Sequence, residues 1–213
     1  MDILWQAERS IVINAAAGTL VMDPLPDSVP GADMDVNSAV ATVSHAAALS
    51  GIAGWEKKVP IIRGPGEYEI SGLGVRGIAV PFGDANDPRA LNTVYALDAE
   101  LITVCNLGAI NGPITAQAAR LIGHVDVLIT PAGGTDQAIS ADQAAAVTRT
   151  LEPRMVIPVH PGVPSDGSDY SALDAFVSEI GLSKPEPVAR VTVTRGNLGE
   201  VQRLVLLRPQ GKN

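Results

Sequence analysis

Two rhythms of apolar residues divide this chain. Up to about residue 110, short runs of β-forming residues are broken by Gly, Pro, Asn and Asp, the pattern of a meandering sheet rather than of regular βαβ units. The predicted strands cover residues 2–5, 10–14, 19–22, 39–44, 68–70, 73–80, 92–97 and 101–105. From Pro113 onward the spacing changes, and helices alternate with strands. One helix is expected between Pro113, tolerated near a helix start, and Gly123, which stops it. A buried strand follows at 125–130. Ser140-Ala141-Asp142-Gln143 has the Ser-x-x-Gln form of a capping box, so a second helix opens there, runs to about Leu151 and ends before Pro153. A strand at 155–159 and a helix at 169–180, stopped by Gly181, come next. Residues 188–194 and 201–207 are expected to close the chain as a hairpin around Gly196-Asn197-Leu198-Gly199. Strands first and alternating units later predict an α/β chain in which two sheets are flanked by helices in four layers. Residues 23–35 read as a surface loop, no repeat appears, and residues 1–213 are expected to form a single domain.

Composition narrows the partners. Hydrophobic residues make up 46% and charged residues 18%, enough apolar surface for a large core and far from the regime of disorder. The formal charge is −8 and the basic residues are scattered, so neither a nucleic-acid backbone nor an anionic membrane surface is an expected partner. Residues 1–5 carry no basic leader, and no apolar run approaches the ~20 residues of a membrane span. A cytoplasmic location is the expectation. The lone Cys105 lies in the apolar run Leu101-Ile102-Thr103-Val104-Cys105, which excludes an internal disulfide and reads as a small core residue rather than a nucleophile.

Five stretches carry a resemblance. They are Val21-Met22-Asp23-Pro24, Thr42-Val43-Ser44-His45, Gly64-Pro65-Gly66-Glu67-Tyr68-Glu69, the strand Asp126-Val127-Leu128-Ile129-Thr130-Pro131, and the run from Leu151 to His160. In this order they resemble the metallo-β-lactamase superfamily, in particular its small bacterial branch of zinc-dependent hydrolases. The resemblance implies a four-layer αβ/βα sandwich. It also implies a metal site built from a Thr/Ser-His-x-His-x-Asp-His loop, a histidine after the next hairpin, a bridging aspartate in a Gly-Asp turn and a strand-ending histidine. Such donors hold zinc while leaving a position for water, whose pKa the metal lowers to roughly 7.

The chain departs from that pattern. His45 keeps the first position, but Ala47, Leu49 and Ser50 stand where the resemblance implies a second histidine, an aspartate and a third histidine. Phe82 replaces the hairpin histidine and Ala109 the bridging aspartate, while His160 keeps the last position. Two neutral imidazoles do not complete a tetrahedral site or offset the charge of the ions. His45, Ala47, Leu49, Ser50, Phe82, Ala109 and His160, with Asp23 and Asp136 nearby, are therefore expected to form the remnant of a pocket, with no catalytic residue and no cofactor.

Blander roles stand beside these. His45 and His160 can be strand-end imidazoles bonded to main chain or, for His45, to Asp23. His124, after Gly123, reads as a cap or surface residue. Gly64 to Glu69 reads as a turn that sets the register of the next strand, because two carboxylates there would repel a phosphate. Gly133-Gly134-Thr135-Asp136 precedes a capped helix and could line a pocket for a small polar ligand. Ser44, Ser50 and Ser168 show no base and acid partners that would make a serine triad. The expected function is that of a catalytically inactive binding or assembly subunit, associated with itself or with a paralogue. The alternatives are a hydrolase with a rearranged one-metal zinc site, using His45 and His160 with Asp23, Asp84 or Asp136, a metal-free catalyst in the same cleft, and a small-molecule sensor.

Overall fold

The computed structural model describes residues 1–25, 35–52, 54–81, 91–132, 139–159 and 170–210. In chain order the strands of the first part are β1 (Asp2–Ala7), β2 (Ser10–Asn14), β3 (Thr19–Met22), β4 (Ala39–Val43), β5 (Ile61–Arg63), β6 (Gly66–Ile70), β7 (Leu73–Pro81), β8 (Leu91–Ala99) and β9 (Ile102–Asn106). Then follow α1 (Ala116–Ile122), β10 (Val127–Pro131), α2 (Ala141–Leu151), β11 (Met155–Val159), α3 (Asp174–Ile180), β12 (Val191–Thr192) and β13 (Arg203–Leu204). They form two mixed sheets, ordered β12-β1-β2-β3-β4-β5 and β13-β11-β10-β9-β8-β7-β6.

The burial of each strand follows its place. β1, near a sheet edge, alternates half-buried and buried residues, whereas β10 and β11, parallel and central, are buried throughout. One apolar cluster joins the sheets, with Ile3, Ile13 and Val40 from the first and Val75, Leu97 and Val104 from the second. It extends to the helices, where α1 packs on β7, α2 on β10 and α3 on α2. The far face of the first sheet holds a separate cluster of Val12, Val21, Ala41 and Val43 under Ile52, Trp55 and Val59. Its cover is a 3-10 turn, Ala46–Ile52, and the loop after it, so among the described residues this fourth layer contains no α-helix. None of the helices described is long and apolar enough to cross a membrane.

Local signals explain the ends of α2. Gln143 accepts a hydrogen bond from the Ser140 N–H at 3.3 Å to form the capping box, and Glu152 turns the chain at a φ of 47° just before Pro153. α1 starts later than Pro113, because the Thr115 hydroxyl caps it by accepting from the Ala118 N–H at 3.1 Å.

Three expectations need correction. β5 was hidden in Val59-Pro60-Ile61-Ile62, too short a run to show alternation, and it forms by pairing parallel to β4. The last helix is divided into a 3-10 turn, Ser171–Leu173, and α3, and Asp169 lies outside the described residues. The closing hairpin does not form. β12 pairs with β1 in one sheet and β13 with β11 in the other, so the two segments each cover a sheet edge, and only Val188 and Leu207 bridge them, in parallel. Unpaired edges are costly, which favours edge cover over a local turn.

Candidate functional site

The strand ends on one side of the sandwich meet through polar side chains. Beyond β3 the chain turns at Asp23, whose φ is 47° and whose N–H donates to the Thr42 carbonyl at 2.9 Å. Its carboxylate then receives both donors of Ser44, just past β4: the N–H reaches Oδ1 at 2.7 Å and the hydroxyl lies 2.6 Å from Oδ2. His45 Nδ1 stands 3.1 Å from the same hydroxyl. A serine hydroxyl has one proton, so when it donates to an ionised Asp23 it must accept from Nδ1–H of His45. Protonation of Asp23 would reverse the direction of the chain. Asp23 is 5% exposed, and that burial pushes its carboxyl above the usual carboxylate range, against the two bonds from Ser44.

Ser44 also ties the sheets together. Its carbonyl accepts from the Thr93 N–H of β8 at 2.6 Å. Gly108, just past β9, has a φ of +63°, and a Cβ built there would lie 2.5 Å from the Ser44 Cβ, so no side chain fits between them. Buried Asn92 holds the same turn at both ends, donating to the Leu107 carbonyl and accepting from the Ala109 N–H, each at 2.8 Å. One layer deeper, the Tyr95 hydroxyl donates to the Val43 carbonyl and accepts from the Gly64 N–H, both at 3.0 Å, and burial pushes its pKa up.

This geometry brings Asp23, His45 and Ala109 to one end, with Ala109 buried at 3% exposure. Leu49 is half exposed on the 3-10 turn that follows His45. Ala47 and Ser50 belong to that turn, their side chains lying outside the description, as do Phe82, Asp84, Asp136, His160 and Ser168 entirely. The residues that sequence reasoning missed are Ser44 and Asn92. The sequence reading sets Ser44 aside as lacking base and acid partners, yet the fold places the Asp23 carboxylate and the neighbouring His45 imidazole against its hydroxyl. Asn92, at the start of the predicted strand 92–97, is wholly buried. His124 is exposed, with Nε2 3.1 Å from Asp126 Oδ1.

A zinc ion of the kind that the resemblance implies needs about four donors, or three and a water. Among the described residues no three of His, Cys, Asp and Glu stand together. Asp23 has both oxygens bonded to Ser44, and the turn past β9 presents a methyl group at Ala109. The donors described here do not fit such an ion. Nor do they offer a nucleophile: Ser44 is 3% exposed, and burial pushes the Cys105 thiol up to about 12.

The sequence profile of the family described as "Beta-lactamase superfamily domain" matches residues 2–160. The chain belongs to the metallo-β-lactamase superfamily. Among solved structures this superfamily member is similar to a protein from Thermotoga maritima assigned as a Zn-dependent hydrolase of the superfamily, with 23% identity, 97% of each chain covered and a TM-score of 0.72. It is also similar to Igni18, a metallo hydrolase from the archaeon Ignicoccus hospitalis, at 14% identity, 99% and 96% coverage and a TM-score of 0.61. A third is the metallo-β-lactamase fold protein YhfI from Bacillus subtilis, at 10% identity, 99% and 98% coverage and a TM-score of 0.61. At such identities the likeness is one of fold. No curated protein sequence matches the chain.

Proposed function

We propose that this superfamily member has lost metal-dependent hydrolysis and acts as a catalytically inactive binding or assembly subunit. The observation that carries the reading is Ala109, buried at 3% exposure in the turn where the resemblance implies a metal-bridging carboxylate. A methyl group supplies neither a ligand oxygen nor negative charge. A neighbouring carboxylate would be a poor substitute, because the turn is fixed by Asn92 and pressed on Ser44, and Asp23 is committed to the Ser44 donors. Leu49, apolar and half exposed, supports the same reading, since it stands where the resemblance implies an aspartate.

Metal analysis of the protein purified without chelators tests it. The expected metal content is far below one equivalent, and adding zinc should elicit no hydrolysis of ester, phosphodiester or lactam substrates. Stoichiometric zinc, iron or manganese would overturn the reading in favour of a rearranged site.

A further inference from the structure

The loop between β9 and α1 carries a chemistry that the site does not use. Asn111-Gly112 is the only Asn-Gly pair in the sequence. Of the other described asparagines, Asn92 and Asn106 are buried, and Asn14, Asn37 and Asn197 are each followed by a residue with a side chain. Asn111 is exposed and Gly112 half-buried, in an irregular stretch that ends where Thr115 caps α1. The helix starts too late to hold the Gly112 nitrogen, and this N–H donates no hydrogen bond among the described residues. A Cβ built on Gly112 meets nothing within 4 Å, so the space beside that nitrogen is open. Glycine also gives the backbone the freedom to bring its nitrogen onto the preceding carboxamide.

Asparagine amides are thermolabile, and these surroundings leave this one unshielded. We propose that Asn111 is a self-modifying site, deamidating in the folded protein. The Gly112 nitrogen, having given its proton to hydroxide, attacks Cγ of Asn111. A bond from that nitrogen to Cγ closes a succinimide ring as the bond from Cγ to Nδ2 breaks, and the side-chain nitrogen leaves as ammonia, taking a proton from water and restoring the hydroxide. Water then opens the ring at Cγ to leave aspartate, or at the main-chain carbonyl to leave isoaspartate. Nothing is oxidised or reduced, and water and hydroxide are the sole co-reactants. Either product adds a negative charge two residues past Ala109, and isoaspartate also lengthens the main chain by a methylene between the turn held by Asn92 and α1. None of the residues that carry the loss-of-metal reading takes part, so the two stand or fall separately.

Peptide mapping by mass spectrometry, after incubation of the full chain at about 37 °C, tests the proposal. A gain of about 1 Da should fall on the peptide containing Asn111, and its rate should rise about ten-fold from pH 7 to pH 8, because the reactive form is the deprotonated nitrogen. Gly112→Ala should fold, as circular dichroism will check, since its space is open and its φ lies outside the left-handed region. It should slow the change about ten-fold by restricting the backbone. The native rate should stay within about ten-fold of the rate in guanidinium chloride, where no fold protects any residue. No gain at Asn111, a gain that falls first on another asparagine, a Gly112→Ala chain that changes as fast as the wild type, or a native rate below that range would each overturn the proposal.

Discussion

Where β9 and β10 begin, Asp126 accepts the Thr103 N–H on Oδ2 at 3.0 Å and faces His124 from Oδ1, while Asp98 accepts the Thr103 hydroxyl at 2.7 Å and the Arg76 Nε at 3.0 Å. The Arg76 guanidinium goes on to the carbonyls of Leu121 and Ile122, each at 3.2 Å, and so closes the C-terminal end of α1. At the other end of the sandwich, where β3 and β4 stop, the Asp23 carboxylate is bonded among the described residues by Ser44, with an imidazole beyond the hydroxyl. Carboxylates at the first end are met by the Arg76 guanidinium, the His124 imidazole and main chain. The second end holds a desolvated acid with no bonded cation among the described residues. Polar groups kept in this way, without a structural return as complete, mark the place where the family resemblance puts chemistry.

Substitutions should separate the two ends. The largest loss is expected for Gly108→Ala, which forces a methyl group against the Ser44 Cβ and an L residue into positive φ, about 4 kcal/mol in urea unfolding. A loss near zero would mean that the sheets are not locked together there. Asp126→Ala should cost about 2 kcal/mol by leaving the Thr103 N–H without its acceptor. At the site end, Thr42 carries a buried hydroxyl with no partner among the described residues, so Thr42→Val should stabilise by about 1 kcal/mol and raise the melting temperature.

The subtlest test is a pH dependence. The folded-state pKa of Asp23 is raised above the ordinary 3.8, so the stability contributed by its neutral form is complete below 3.8 and is lost as pH rises through the folded value. Asp23→Asn keeps an acceptor for Ser44 and removes that loss. Its melting temperature should exceed the wild type's at pH 8, with the gain fading as pH falls toward 3.8. A gain that is the same at both pH values would show that Asp23 does not titrate with folding.

The local grammar of the chain carried the elements whose ends are written in neighbouring residues. Ser140 with Gln143, and Glu152 before Pro153, mark α2 because a cap acts within one turn. The edge pairings were not legible, since β12 and β13 find partners more than 40 residues away, on different sheets, and two residues carry no period. At the site, the resemblance pointed to His45 and Ala109, whereas the hydrogen bonds of Ser44 and Asn92 had no sign in the sequence. Their partners lie on other strands, Asp23 and Leu107 among them, and a hydroxyl or amide gives no sign in sequence of whether it faces water or a neighbouring carbonyl.

The central claim, that the site no longer holds metal, is tested most directly by following the wild-type melting temperature while zinc is added. Zinc at a thousand times its dissociation constant stabilises a specific site by about 4 kcal/mol, a rise of roughly 10 °C for a chain of this size. The variant that combines Ala47→His, Leu49→Asp, Ser50→His, Phe82→His and Ala109→Asp, with the full ligand set that the resemblance implies, is the positive control and should show such a rise. The wild type is expected to show none at any zinc concentration that leaves it soluble; a saturable rise with one or two equivalents bound would contradict the claim.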